Sequence, residues 1–176
     1  MCEMEKRIDE FIAKCCDEIA ISYASELYFI GRKIKSQSPI EQLFAVAFHH
    51  LQNISEIDGD YELCQQYQVA TNEAEYKIDF VIRGGVDELY LATEKTSFPL
   101  IGIELDGHNW HEKTKRQVEH DKIRERALTA SGVTLLRYAG TEVWRDPIKC
   151  VKDAYSIRET KLSESIKLFH SLNATT

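Results

Sequence analysis

The sequence predicts an α/β sandwich in which a central mixed sheet is flanked by helices. Three observations predict it. Apolar residues recur at helical spacing through roughly the first fifty positions. From about Tyr61 the period changes to that of strands. Two later apolar runs, Pro99 to Leu105 and Val133 to Tyr138, are separated by a polar helical stretch, so that strands alternate with helices.

The elements follow in order. Between residues 3 and 34, Ile8, Phe11, Ile12, Cys15, Ile19 and Tyr23 fall at spacings of three and four. This is one helix or two, with an apolar stripe suited to a core or to a second subunit. Arg32 to Gln37 is a polar linker. Ser38-Pro39-Ile40-Glu41 has the form of a capping box, with serine at N-cap, proline at N1 and glutamate at N3. Leu43, Phe44, Ala47 and Leu51 then mark the apolar face of a helix ending near His50 to Asn53. Tyr61 to Val69 and Glu75 to Ile82 read as strands, Gly84-Gly85 as a hairpin turn and Leu89 to Ala92 as the returning strand, with Thr93 to Phe98 a loop. The run from Pro99 to Leu105 suits a central strand buried on both faces. Trp110 to Ser131 is a polar helix with Val118, Ile123, Ala127 and Leu128 as its buried seam, stopped by Gly132. Val133 to Tyr138 is another buried strand, and Asp146-Pro147 opens a last helix that runs towards Leu172. Residues 1–37 form a helical extension, 38–147 the core and 148–176 the C-terminal helix.

The chain has 176 residues, of which 43% are hydrophobic, which is enough for one domain with a core. Its formal net charge of -7 excludes indiscriminate, charge-driven binding to nucleic acid over the whole surface; phosphate contacts must come from a local basic face. The five cysteines are odd in number and show no C-x-x-C spacing, which argues against a zinc site or a disulfide framework. No apolar run approaches the length of a membrane span, so a cytoplasmic protein with no membrane partner is expected.

The candidate chemistry lies at strand ends. Asp79 sits within Tyr76-Lys77-Ile78-Asp79-Phe80-Val81-Ile82, and Glu104 and Asp106 close the Leu100 to Leu105 run. A carboxylate beside an apolar core is costly unless it is paired, hydrogen-bonded or bound to a metal. Strand alternation puts Glu104 and Asp106 on one side. If the two strands are neighbours, three carboxylates converge in the oxygen environment that hard divalent cations prefer. For each acid alone a salt-bridged strand end is the blander reading; for the set, a metal site is favoured.

Taken as an ordered set, Asp79, Glu104-Leu105-Asp106-Gly107, His111, Asp121-Lys122-Ile123-Arg124 and Gly132 to Tyr138 resemble small bacterial PD-(D/E)xK, restriction-endonuclease-like nucleases. Gly107 and Trp110-His111 are more distantly similar to the very-short-patch repair endonucleases. The resemblance covers about residues 38 to 147 and implies a restriction-endonuclease-like sandwich with extra helices at both ends. It implies that Asp79 and Glu104 bind Mg²⁺ or Mn²⁺ with the backbone carbonyl of Leu105. Glu41 matches the glutamate such proteins often supply from the first core helix, although as N3 of a capping box it has a structural role open to it. Gln66 best matches a glutamine that often lies near the first strand, with Gln68 as competitor; both also read as exposed strand residues.

The chain departs from the family pattern at Asp106, where lysine is expected. His111 is the candidate replacement, as general base or phosphate-orienting group, with Lys113 and Lys115 as alternatives. The helix after His111 carries Lys113, Lys115 and Arg116, a candidate nucleic-acid contact, though its mixed charge is also that of a solvated face. Asp121, Arg124 and Arg137 read as supports for the site. Trp110 and Trp144 have the chemistry to stack on bases, but packing is the commoner use. The implied function is a metal-dependent endonuclease acting on DNA, with a homodimer or partner protein supplying selectivity. The alternatives are an inactive binding or assembly module of the same fold and a nuclease preferring RNA or single strands.

Overall fold

The computed structural model describes residues 3–16, 27, 29–30, 38–85, 88, 100–107 and 115–173. Its elements are α1 (Glu3–Cys16), α2 (Pro39–Asn53), β1 (Tyr61–Ala70), β2 (Glu75–Gly84), β3 (Leu100–Asp106), α3 (Lys115–Ala130), β4 (Val133–Ala139), the short α4 (Gly140–Arg145) and α5 (Pro147–Asn173). The linker expected at Arg32 to Gln37, the returning strand expected at Leu89 to Ala92 and the helix start expected at Trp110 lie outside the described residues.

The strands pair in the order β1-β2-β3-β4. β1 and β2 are antiparallel, β2 and β3 are antiparallel, and β3 and β4 are parallel, so the sheet is mixed. β3 lies inside the sheet, as its unbroken apolar run requires. Helices cover both faces. On one, α1, α2 and α5 bury a core of Phe11, Ile12, Leu43, Phe44, Phe48, Leu51, Val151 and Ala154 against Phe80, Ile82, Ile103 and Tyr138. Phe44 stacks on Phe80 with ring centroids 5.5 Å apart, and the Tyr138 hydroxyl donates to Asp153 Oδ2 at 2.7 Å, tying β4 to α5. On the other face a smaller core of Val69, Ile78, Val81, Leu128 and Val133 lies under α3.

Three local expectations change. α3 buries only Ala127 and Leu128, while Val118 and Ile123 are 40% and 37% exposed. The helix reaches the core through its last turns, and the remainder is a solvated face, as its mixed charge allows. Ser38 is the N-cap residue of α2, but its side chain makes no capping hydrogen bond, so the capping box does not form. The working cap is at α5, where Asp146 Oδ1 accepts from the Lys149 N–H at 3.0 Å. Helix α4 was not foreseen, because six residues are too few to display a period.

One irregularity of the sheet positions the site. On β1, Tyr61 and Leu63 belong to the larger core, yet Tyr67 and Val69 pack on the smaller one. On β2, Phe80 and Ile82 face the larger core, yet Ile78 and Tyr76 face the smaller. Alternation therefore slips by one residue on both strands between the pairs Gln65↔Phe80 and Tyr67↔Ile78, at the rung where Gln66 lies across from Asp79. Gln66 has φ 47°, a left-handed backbone that costs a non-glycine residue about 1 kcal/mol. The β2–β3 ladder also pairs only Phe80↔Ile103 and Val81↔Gly102, so its regular part stops beside Asp79.

Candidate active site

One step further along the β2–β3 register sets Asp79 opposite Glu104. There a side chain takes over from the ladder: the Leu105 N–H donates to Asp79 Oδ2 at 2.9 Å. Asp79 is half-buried, and burial is the main force that pushes its carboxyl up to about 7. The Glu104 and Glu41 charges push the same way; the Leu105 N–H and the Arg124 guanidinium oppose them. Carboxylates from α2 and β3 thus both bear on the half-buried Asp79 of β2.

Glu41 takes part because its side chain does not turn back to cap α2. Its Oε2 instead accepts from Gln66 Nε2 at 3.5 Å. The strained turn at Gln66 and the glutamate on α2 meet at the Asp79 rung, while Gln68 stays in the ladder opposite Lys77; both glutamines are exposed, as expected of exposed strand residues.

Two arginines flank the acids. Arg124 of α3 donates through Nη2 to Glu104 Oε1 at 2.5 Å and also to the Lys77 carbonyl. Arg137 of β4 grips Asp106 with both ends of its fork, Nε to Oδ2 at 3.0 Å and Nη2 to Oδ1 at 2.6 Å. This hydrogen-bonded pairing holds the Arg137 pKa above its ordinary value, and the Glu104 and Asp121 charges add to it. The expectation that Asp79, Glu104 and Asp106 converge is therefore corrected. Asp106 is engaged by Arg137, and the third acid that bears on Asp79 is Glu41. β3 and β4 run parallel with Glu104 beside Arg137, which brings the arginine within reach of Asp106.

Among the described residues, no three His, Cys, Asp or Glu side chains stand together as a ready cage for a metal ion. The donor chemistry nevertheless fits a hard divalent cation. Asp79, Glu104 and Glu41 are oxygen donors, and a cation would relieve the repulsion that Glu104 and Glu41 exert on Asp79. Asp106 fits less well, because both its oxygens are taken by Arg137.

Of the other expected residues, His111 and Lys113 lie outside the described residues. Lys115 and Arg116 are exposed at the start of α3. The arginines expected as supports, Arg124 and Arg137, do hold the acids at the strand ends. Sequence reasoning missed the left-handed turn at Gln66, for which a glutamine gives no signal. It also missed Arg7 of α1, whose Nη2 donates to the Trp144 carbonyl at 3.0 Å beside the site.

A family model described as REase_MTES_1575 matches residues 56–156. That span contains Asp79, Glu104, Asp106, Arg124 and Arg137 and begins after Glu41. No curated protein and no solved structure matches the chain.

Proposed function

Because the chain belongs to the REase_MTES_1575 family, a restriction-endonuclease-like family, we propose that it is a Mg²⁺- or Mn²⁺-dependent endonuclease hydrolysing phosphodiester bonds in DNA. The observation that carries this reading is the Asp79–Glu104 rung. There a half-buried carboxylate is pushed up to about 7 by its surroundings and by two neighbouring acids, in a chain of a nuclease family. Carboxylates perturbed by burial and by neighbouring like charge cluster at functional sites.

In this reading Asp79, Glu104 and the Leu105 carbonyl hold the ion, with Glu41 beside them. The bound ion supplies Lewis-acid stabilisation of phosphate charge and an activated water. Arg124 shares Glu104 with the ion and fixes the orientation of its carboxylate. Arg137 holds Asp106 and so keeps the strand end in place where the family's lysine would stand. His111, or a lysine at 113 or 115, orients the attacking water. Lys115 and Arg116, at the start of α3, meet the backbone phosphates. The fold core runs over 38–147, and a homodimer or partner protein supplies any sequence selectivity.

A second reading, a binding module of the same fold without catalysis, is favoured by the engagement of both Glu104 and Asp106 by arginines. One experiment separates the two: cleavage of supercoiled plasmid and of single-stranded DNA with Mg²⁺, Mn²⁺ or EDTA, by wild type and Asp79→Ala. Metal-dependent cutting by wild type alone is the expected result. Equal inertness of both proteins in every metal gives the module reading the lead. Among the described residues no helix is long and apolar enough to cross a membrane.

A further inference from the structure

We propose that a cleft beside the carboxylate cluster holds one unstacked nucleotide of the substrate strand, so that the protein acts on single-stranded or locally unpaired DNA. This rests on the nuclease reading above and adds to it the form of the substrate.

The cleft measures about 770 Å³ and is bounded by α1, the first turn of α2, Gly107 and α4. Its volume lies within the roughly 300–1,000 Å³ usual for sites that take a small molecule. Its position is fixed by close backbone packing. A Cβ at Gly140 would lie 2.9 Å from the Asp106 carbonyl oxygen and 3.3 Å from Ile40 Cδ1. Only glycine lets α4 approach the end of β3 this closely, and the approach places the cleft directly against Asp106-Gly107. Around Gly107 itself a Cβ would meet nothing within 4 Å. Gly107 in the cleft wall follows Leu105, whose carbonyl the nuclease reading gives to the ion, by two residues, a span of roughly 7 Å in extended backbone; a nucleotide adjoining the cleaved phosphate has the reach to enter the cleft.

The lining suits that occupant. Arg7 and Trp144 both line the cleft and are fixed to each other. The Arg7 guanidinium carbon sits 5.9 Å from the centroid of the Trp144 ring, and its Nη2 donates to the Trp144 carbonyl at 3.0 Å. A guanidinium plane and an indole are the two kinds of surface on which an unpaired base stacks. Pro39 and Ile40 add an apolar wall, and Arg145 adds a second positive charge. Glu3 also lines the cleft, so two arginines stand against one acid there, a net positive lining for the flanking phosphate in a chain of net charge -7. A base stacked and paired within a duplex cannot enter such a cleft until it leaves the stack.

The test measures binding separately from cutting. Binding of a labelled single-stranded DNA oligonucleotide and of the matching duplex is followed by fluorescence anisotropy with Asp79→Asn protein, which removes cleavage from the readout. The single strand is expected to bind about tenfold or more tightly than the duplex, the scale of one base–aromatic stack. Arg7→Gln should reduce that preference. So should Thr141→Leu, which adds bulk but no ring on which a base could stack, at an exposed position of the cleft wall, clear of the core. The oligonucleotide should also quench tryptophan emission, and Trp144→Phe should lose most of the quench. Equal affinity for the two DNA forms, or full preference in both cleft variants, overturns the proposal. If metal-dependent cutting persists in that case, the nuclease reading stands without it. A preference that both variants abolish, in a protein inert with every metal, supports the cleft as a nucleotide site and removes only the nuclease reading.

Discussion

The strand pair β1–β2 carries two charge clusters, one balanced and the other not balanced among the described residues. Near Tyr61 and Gly84, the Arg158 side chain of α5 is 0% exposed, and each of its nitrogens has an acceptor. Nε donates to the Ile82 carbonyl at 3.2 Å, Nη2 to the Gly84 carbonyl at 2.6 Å and to Glu88, and Nη1 to Glu159 at 2.7 Å. Its guanidinium lies 4.5 Å from the Tyr61 ring centroid, and Glu88 also takes the Arg83 side chain and the Gly84 N–H. At the Asp79 rung the described acids outnumber the described bases. Glu41, Asp79, Glu104 and Asp106 share Arg124 and Arg137, and Asp79 relies on one backbone N–H. Desolvation penalises both clusters. The first is compensated by the described residues themselves, so it reads as an anchor for the sheet. Among the described residues the second carries more acid than base, the charge to which the proposed function assigns a cation.

This contrast orders the tests. The largest effect should come from Asp79→Asn. Metal-dependent cleavage should fall to background, while the metal-free protein at pH 8 should melt at a higher temperature than wild type, because a costly charge has gone. A melting temperature that falls instead would make Asp79 an anchor like Arg158. Next, Arg158→Met should cost about 3–5 kcal/mol in denaturant unfolding, since it leaves Glu88 without its buried partner. Arg124→Met, at a half-open pair, should cost about 1–2 kcal/mol but reduce cleavage by more than its loss of stability explains.

The pH dependence sharpens the comparison further. Asp79 has a folded pKa of about 7 against an ordinary value of 3.8. The folded state therefore binds the extra proton, and this contribution to stability is full below pH 3.8 and lost as pH rises through about 7. The bound is about 4 kcal/mol, and less in practice because the site is partly open to water. Thermal melts without metal should show this decline in wild type and a flatter profile in Asp79→Asn. Added Mg²⁺ should restore stability most above pH 7, where the carboxylate is free of its proton. The smallest effect is expected for Glu41→Gln: little change in melting temperature, because the residue caps nothing, with a reduced cleavage rate at limiting Mg²⁺. A clear drop in stability would return Glu41 to the helix start.

Much of this was legible in the residues. The change of period at Tyr61 located the strands, and the apolar run ending in Glu104 located the interior one. Asp79 and Glu104 were visible because acids at the ends of apolar strands have no cheap explanation. Arg158 had a signal that was passed over: it falls on the apolar stripe of α5, between Ala154 and Leu162. Local pattern misled at Ser38 to Glu41 and at Val118 and Ile123. A capping motif and an apolar spacing state only what a helix can do with its own neighbours.

The sequence by itself determined the long helices, the strands and the two acids on them, because periodicity and the cost of burying charge act over a few residues. The tertiary structure decided the rest. It turned Glu41 towards Gln66, gave Asp106 to Arg137, slipped the alternation of two strands at one rung and set Arg7 on Trp144 beside the site. Each of these joins groups far apart in the chain, and their energies depend on the distances and the shared desolvation that only the folded arrangement fixes.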